Sequence, residues 1–249
     1  EEQVLRAVKE TGIRADLAPT VFGASSDFRE RLSQVSEFIE KHRGESGRVA
    51  FHMGPHANYT CPGETLGQIV DEAKRLGLPI HLHVSEEDVQ VERASEETGL
   101  TPFGILHRAG GFDCKVLVGH GLWIEEEDLK LLRQDTWFAF CPKTYMKLAS
   151  GRGGFFDYYK KLNYGFGTDG AASSNTLNPM EQARLFGLLG KYQDRDSSHF
   201  TASEIWQHLM AGHQAFPFGT GRLAKGAPAD LAVWDLSSMD TFPYYNPIS

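Results

Sequence analysis

The stretch "PIHLHVSEED", residues 79–88, combines a short apolar segment with two histidines and a run of carboxylates. His81 and His83 are two residues apart, so in a β-strand both side chains point to the same face. The acidic residues that follow are typical of the start of a helix. The stretch therefore predicts a strand that ends in polar residues and leads into a helix, which is one unit of a parallel α/β fold.

The same pattern recurs along the chain. Six short β-rich runs are predicted as strands, at 14–18, 48–54, 79–84, 115–119, 136–140 and 164–168. Helical periodicity is found at 1–11, 28–42, 64–76, 86–98, 125–134, 154–162, 179–190 and 202–216. This alternation favours a parallel sheet or a (β/α)8 barrel. Because a closed barrel needs eight strands, we expect the chain to be part of a larger protein, with the first strands absent from it.

The composition and pattern of the sequence change near Gly219. The stretch "GTGRLAKGAPADLAVWDLSS", residues 219–238, is rich in Gly, Ala and Pro, and no amphipathic helix follows it. We therefore predict a boundary there, which divides the chain into an incomplete barrel at 1–218 and a separate C-terminal segment at 219–249.

Composition excludes several classes of function. The 249 residues carry a net charge of -8 and no basic block, which argues against a nucleic-acid-binding surface. No stretch approaches the roughly 18 consecutive apolar residues of a membrane helix, and the N-terminus lacks the pattern of a signal peptide. The cysteines suggest neither a disulfide framework nor a thiolate zinc site, since they are widely spaced at Cys61, Cys114 and Cys141. We expect a cytoplasmic protein without a nucleic-acid or membrane partner.

Polar residues of catalytic type follow four of the predicted strands. They are His56, His83 with Glu86, His120, and Asp169. Functional side chains gather at the carboxyl ends of parallel strands, so we expect these residues to lie close together. Imidazole nitrogens and a carboxylate suit zinc or a similar divalent ion, which lowers the pKa of a bound water to about 7. Glu86 is close enough to His83 to shuttle protons without being a ligand.

Six motifs in the same order resemble the amidohydrolase superfamily. They are "GPHANYTCPGETL", "HLHVSEE", "VGHGLW", "MKLASG", "GTDGAASSNTL" and "GTGRLAKGAPADLAVWDL". The branch that the chain resembles is the cytosine-deaminase-like group, which includes S-adenosylhomocysteine/methylthioadenosine deaminases and triazine (chloro)hydrolases. The resemblance implies a (β/α)8 TIM-type barrel of the metal-dependent hydrolase kind, joined to a small β-sandwich that would include residues 219–249.

The resemblance also implies a role for each candidate residue. His83 and Asp169 would be metal ligands, and Asp169 would also accept a proton from the attacking water. Glu86 would protonate a ring nitrogen of the substrate. His120 would hold the attacking hydroxide or the developing oxyanion, and His56 would contact the heterocycle. The implied cofactor is one divalent ion, with zinc as the first expectation and iron as the alternative.

Two motifs of the family differ in this chain. The His-x-His pair of the first barrel strand is not present, because the one His-x-His in the sequence is His81 to His83. The chain therefore supplies two of the usual four protein ligands, and we expect the metal to be absent if the others are not supplied. Phe140, Cys141 and Pro142 stand where many deaminases of this branch have His-Asn-Pro, which predicts a pocket unlike that of adenosine-type enzymes.

The leading hypothesis is a metal-dependent hydrolase that deaminates an amino-substituted N-heterocycle of the purine, pyrimidine, pterin or triazine type. The activity would be hydrolysis of a carbon–nitrogen bond other than a peptide bond, by metal-activated water. The alternatives are hydrolytic dechlorination of a triazine-like ring, and a catalytically silent barrel that acts in binding or assembly. A small-molecule heterocycle is the expected partner, and a homo-oligomer is left open.

Overall fold

The computed structural model describes residues 1–237 and 245–246, and these residues form an α/β fold. The strands are β1 (Ala15–Leu17), β2 (Thr20–Val21), β3 (Val49–Phe51), β4 (Gly54–Pro55), β5 (Ile80–Val84), β6 (Val116–His120), β7 (Trp137–Phe140) and β8 (Asn163–Phe166). The α-helices are α1 (Glu2–Thr11), α2 (Phe28–His42), α3 (Gly63–Leu76), α4 (Asp88–Thr98), α5 (Pro102–Arg108), α6 (Pro142–Leu148), α7 (Phe155–Tyr158), α8 (Ala171–Ser174), α9 (Pro179–Asp194) and α10 (Ala202–Ala211).

Every paired strand in the described part of the chain runs parallel to its neighbour. β1 pairs with β3, β2 pairs with β4, and β5, β6, β7 and β8 form one sheet in that order. Single bridges from Met53 to Ile80 and from Ala57 to His83 connect the β3–β4 segment to β5. The six predicted strand positions and the predicted α/β class are thus confirmed. Among the described residues, no ladder joins β8 to β1.

The first two strand positions are each broken into two short pieces, which the sequence pattern did not predict. The first break, between β1 and β2, contains Pro19. Proline has no backbone N–H to donate to a ladder, so a regular strand is interrupted there. The backbone resumes pairing directly afterwards, and His56 follows the second piece of the next position.

The central strand β5 has one face in the core and one face toward the site. Ile80, Leu82 and Val84 are buried and belong to the hydrophobic core, whereas His81 and His83 are half-buried on the other face. This alternation is the period-two pattern of a strand. The prediction that both histidines share one face is confirmed.

The predicted helix at 86–98 begins later than expected. Helix α4 starts at Asp88, and Glu87 before it has extended backbone geometry. The backbone N–H of Glu86 donates to Oε1 of Gln90 rather than to a helical carbonyl, at 3.2 Å. Glu86 therefore lies in the turn between β5 and α4, where its side chain reaches the ends of the strands.

The predicted helix at 125–134 is wrong over most of its length. Only a 3₁₀ turn forms there, at Glu127–Lys130. The side chain of Asp128 is buried and accepts hydrogen bonds from the Thr101 hydroxyl at 2.5 Å and from the Glu125 N–H at 2.9 Å. A carboxylate that binds nearby backbone in this way competes with a regular helix.

The C-terminal segment that follows the barrel helices contains no strand at residues 219–237. Asp230 forms an ion pair with Arg14 at 2.7 Å, which attaches the segment to the start of β1. The proposed boundary at Gly219 and the β-sandwich remain predictions, and residues 238–244 and 247–249 lie outside the described residues. Within the described residues, no helix has both the length and the apolarity needed to cross a membrane.

Tyr164 on β8 offers a test of packing that is independent of function. Its ring is buried and stacks on the ring of His208 of α10, with 3.9 Å between the two centroids. Its hydroxyl has no hydrogen-bond partner among the described residues. An unsatisfied buried hydroxyl costs about 1–3 kcal/mol. We expect Tyr164→Phe to raise the free energy of unfolding by about 1 kcal/mol in chemical denaturation.

The matched control is Tyr192→Phe on α9, because the Tyr192 side chain is 83% exposed and its hydroxyl can reach water. This variant should unfold with the same free energy as the wild type. A loss of stability in Tyr164→Phe would contradict the account, since it would mean that the hydroxyl has a stabilising partner.

Candidate active site

The candidate residues lie where the parallel strands end. His56 follows β4, His83 lies in β5, and Glu86 is two residues beyond the end of β5. His120 is the last residue of β6, and Asp169 is three residues beyond the end of β8. Because the carboxyl ends of parallel strands meet at one edge, side chains from distant parts of the sequence converge there.

Four of the five side chains are in direct proximity. The rings of His83 and His120 are stacked, with 5.3 Å between their centroids, and the ring of His56 is 4.9 Å from that of His83. Nε2 of His120 is 3.4 Å from Oε1 of Glu86. Asp169 interacts electrostatically with both His120 and Glu86, so its carboxylate faces the same cluster.

Three residues at this edge have left-handed backbone geometry. The φ angles are 48° at Ser85, 71° at His120 and 56° at Asp169. Residues with a side chain adopt this region uncommonly, and such strain is concentrated at functional sites. The sharp turns direct the side chains of these strand ends toward one another. No pattern in the sequence indicated them.

The hydrogen bonds of His83 leave one ring nitrogen available. Nδ1 of His83 lies 2.8 Å from the backbone oxygen of His56. Since a carbonyl oxygen can only accept, Nδ1 donates to it, and in the neutral ring Nε2 carries the lone pair. A carbonyl that holds one nitrogen of an imidazole while the other binds a metal is the usual arrangement of a histidine ligand.

His56 is oriented in a similar way. The Thr60 hydroxyl donates to the backbone oxygen of Ala57, at 3.2 Å, so it accepts from Nδ1 of His56, at 2.9 Å. Nε2 of His56 is therefore a hydrogen-bond acceptor. The rings of Phe22 and Tyr59 flank it at 4.7 and 5.8 Å, and both are about half exposed. These three rings form an aromatic wall beside the cluster.

Burial separates the pKa values of the two carboxyl groups. Burial raises the pKa of Glu86. It would also raise the pKa of Asp169, but hydrogen bonds from the Gly170 N–H and the Ser173 hydroxyl outweigh it and lower that pKa. Burial lowers the pKa of His120 to about 4, so this imidazole is neutral at pH 7. One carboxyl suited to proton transfer beside one that stays ionised is a common arrangement for acid–base chemistry.

The donor set fits a divalent metal in type. Nε2 of His83 offers a lone pair, and Asp169 offers an ionised carboxylate, which are ligands that zinc accepts. A catalytic zinc site uses three protein ligands, and among the residues that the structure describes no group of three His, Cys, Asp or Glu side chains could hold an ion. His83 and Asp169 by themselves are fewer than the protein ligands of such a site.

Cys141 and Tyr145 complete the edge between β7 and α6. Burial raises the pKa of the Cys141 thiol, and its Sγ donates to the backbone oxygen of Ala139, so it is neither a thiolate ligand nor a nucleophile. The hydroxyl of Tyr145 contacts Nδ1 of His120 at 3.3 Å. The sequence pattern predicted no role for Tyr145, since its contact with His120 depends on the fold.

Comparison with known proteins identifies relatives over the whole chain. The profile of the amidohydrolase family matches residues 1–248. A 5-methylthioadenosine/S-adenosylhomocysteine deaminase from Dictyoglomus thermophilum is 33% identical, and the alignment covers 100% of this chain and 59% of that protein. The same deaminase from Pelotomaculum thermopropionicum is 35% identical, and the alignment covers 100% of this chain and 58% of that protein. The chain thus spans about three fifths of the length of these curated relatives.

Solved structures show the same fold. An adenosine deaminase from Xanthomonas campestris with bound zinc superposes with a TM-score of 0.88 at 25% identity, covering 98% of this chain and 57% of that one. An atrazine chlorohydrolase from Arthrobacter aurescens TC1 complexed with zinc gives a TM-score of 0.86 at 20% identity, covering 98% and 58%. The predicted barrel-type fold of metal-dependent hydrolases is confirmed. With the family profile matching nearly every residue, this chain belongs to the amidohydrolase family.

Proposed function

We propose that the protein containing this chain is a metal-dependent hydrolase that deaminates an amino-substituted N-heterocycle. The observation that carries the proposal is the contact of Glu86 with His120, 3.4 Å apart and directly beside His83. A proton-transferring carboxyl, an imidazole, and a second imidazole whose Nε2 can bind a metal are the groups that hydrolytic deamination needs at one strand edge. The named activity of the two deaminase relatives supports the same reaction class.

Each side chain has a defined part in this reaction. His83 and Asp169 would hold a divalent ion, and that ion would supply the activation of a water as nucleophile. Asp169 accepts a proton from that water, and Glu86 gives a proton to the ring nitrogen next to the attacked carbon. His120 stabilises the charge that develops on the attacking oxygen. The proton held by Asp169 then passes to the amino group, which leaves as ammonia, while the hydroxyl proton returns to Glu86 and a ring carbonyl remains.

The aromatic wall favours a flat heterocyclic substrate. Phe22 and Tyr59 expose about half of their side chains beside His56, so a planar ring can stack against them. Nε2 of His56 can accept a hydrogen bond from an N–H of that ring. We propose an aminopurine nucleoside as the first substrate to test, because the two deaminase relatives are named for such compounds. We propose zinc rather than iron as the ion, since the adenosine deaminase neighbour holds zinc.

The test is a screen of the purified zinc-loaded protein for ammonia release. The panel contains aminopurine nucleosides, aminopyrimidines, aminopterins and aminotriazines, with a chlorotriazine assayed for chloride. We expect ammonia from at least one aminopurine and no chloride. Chloride without ammonia would establish the dechlorination alternative. Neither product from zinc-loaded protein would contradict the proposal and favour the catalytically silent barrel.

A further inference from the structure

Tyr145 contacts Nδ1 of the His120 ring, whereas Glu86 faces Nε2 on the other side of the ring. It belongs to α6, its side chain is only 2% exposed, and its ring meets that of His120 at 5.6 Å between centroids. In the sequence it follows Phe140, Cys141 and Pro142, the stretch that predicts an altered pocket. The structure makes it part of a short helix with a buried hydroxyl.

The hydrogen bonds of this hydroxyl assign its proton. The backbone N–H of Cys141 lies 3.0 Å from the Tyr145 oxygen and can only donate, so the oxygen accepts there. The other polar contacts of this hydroxyl are with Nδ1 of His120, at 3.3 Å, and with the thiol of Cys141. A thiol sulfur is a weak acceptor, whereas an unprotonated imidazole nitrogen is a good one. The hydroxyl proton therefore points to Nδ1, which must be the nitrogen without a proton.

We propose that Tyr145 is a positioning residue that holds His120 in the tautomer with its proton on Nε2. A neutral imidazole has one donor and one acceptor nitrogen, so a donor at Nδ1 requires the proton at Nε2. Nε2 is the atom that faces Oε1 of Glu86. The catalytic consequence rests on the function proposed above, whereas the tautomer is a property of this chain alone.

The tautomer decides what His120 can do. With the proton on Nε2, His120 donates a hydrogen bond toward the edge where the reacting oxygen gains negative charge. With the proton on Nδ1, it would present a lone pair there and repel the same charge. The two other histidines of the cluster have the opposite assignment, because His83 and His56 each donate from Nδ1. Of these three histidines, His120 is thus the one that donates from Nε2.

The surroundings keep the Tyr145 hydroxyl in place. Its ring packs edge-on against Phe140 at 4.9 Å, and the start of α6 is attached to α9 through a hydrogen bond from the Lys143 N–H to Oε1 of Gln182, at 2.9 Å. Gln182 is itself buried. A hydroxyl fixed by packing and by its own helix can set the tautomer of its neighbour without rearrangement.

The test combines NMR with two matched variants. Histidine labelled with nitrogen-15 reports directly which ring nitrogen carries the proton, and the His120 signals are identified by their loss in His120→Gln. Tyr145→Phe removes the hydroxyl at His120. Tyr164→Phe removes a buried hydroxyl that has no hydrogen-bond partner within 1–237 and 245–246, so it controls for a buried tyrosine changed elsewhere.

We expect a protonated Nε2 on His120 in the wild type and in Tyr164→Phe. In Tyr145→Phe the Nδ1 resonance should move and a Nδ1–H population should appear. A proton on Nδ1 in the wild type overturns the proposal without any variant, and so do unchanged His120 signals in a folded Tyr145→Phe.

Kinetics provide the second measurement. Tyr145 touches His120 and not the substrate, so Tyr145→Phe should lower kcat about tenfold with KM unchanged. A rise in KM at constant kcat would overturn the positioning role. If the protein shows no deaminase activity but His120 carries its proton on Nε2, the proposed function fails and the tautomer assignment stands, so the two failures are distinguishable.

Discussion

Replacing Glu86 with glutamine is expected to lower kcat by about 100- to 10,000-fold while the bound metal remains. The amide keeps the size of the side chain but cannot give a proton to the ring nitrogen. Glu86 reaches the site from the turn after β5, with Oε1 at 3.4 Å from Nε2 of His120, and burial raises its pKa toward the range useful for proton transfer. The measurement is steady-state ammonia release together with metal content by elemental analysis.

The adjacent residue provides the control. Glu87 is the residue just before α4, and among the described residues its side chain has no contact with His120, so Glu87→Gln removes the same charge without touching His83 or His120. It should retain ordinary activity. Near wild-type turnover in Glu86→Gln would mean that Glu86 does not transfer a proton in the reaction.

Replacing His83 with alanine should abolish both metal binding and turnover. The His56 carbonyl holds Nδ1 of the His83 ring, which leaves Nε2 as the nitrogen that can bind a metal. Loss of a ligand from a site with few protein ligands leaves the ion weakly bound, and we expect a decrease in turnover on the order of a thousandfold or more. Elemental analysis and ammonia release measure the two effects.

His81→Gln is the matched control for this variant. His81 lies on the same face of β5, two residues before His83, but burial lowers its pKa to about 3 and no ligand role is proposed for it. The variant should keep its metal. If His83→Ala retained the metal and His81→Gln lost it, the ligand assignment would be wrong.

The gathering of the candidate residues could be predicted from the sequence, for a geometric reason. His83, His120 and Asp169 each stand at or just beyond the end of a short apolar run, and parallel strands bring their carboxyl ends to one edge. The positions of the strands along the chain were enough to predict that these side chains lie close together. It was not enough to predict contacts, because the 3.4 Å approach of Glu86 to His120 depends on where α4 begins.

The short helices near the site were not predicted. Helices α5, α6 and α8 have seven, seven and four residues, which is too short for helical periodicity to be visible. Two of them begin with proline, at Pro102 and Pro142, and proline at the first helical position was the signal available in the sequence. The helix that places Tyr145 beside His120 was missed for this reason.

The proton positions depend on partners that are distant in sequence. Nδ1 of His83 bonds to the oxygen of His56, 27 residues away, and Nδ1 of His120 contacts Tyr145, 25 residues away. Strain at Ser85, His120 and Asp169 is likewise a property of the folded strand ends. A motif identifies these residues as candidates, but only the fold determines which nitrogen donates and which one accepts.

The most direct test of the central claim is ammonia release from an aminopurine nucleoside, measured on the purified protein before chelation, after chelation and after zinc is restored. We expect activity to disappear when the metal is removed and to return with zinc, because we propose that His83 and Asp169 act through a divalent ion. Ammonia release that survives complete removal of the metal would contradict the account.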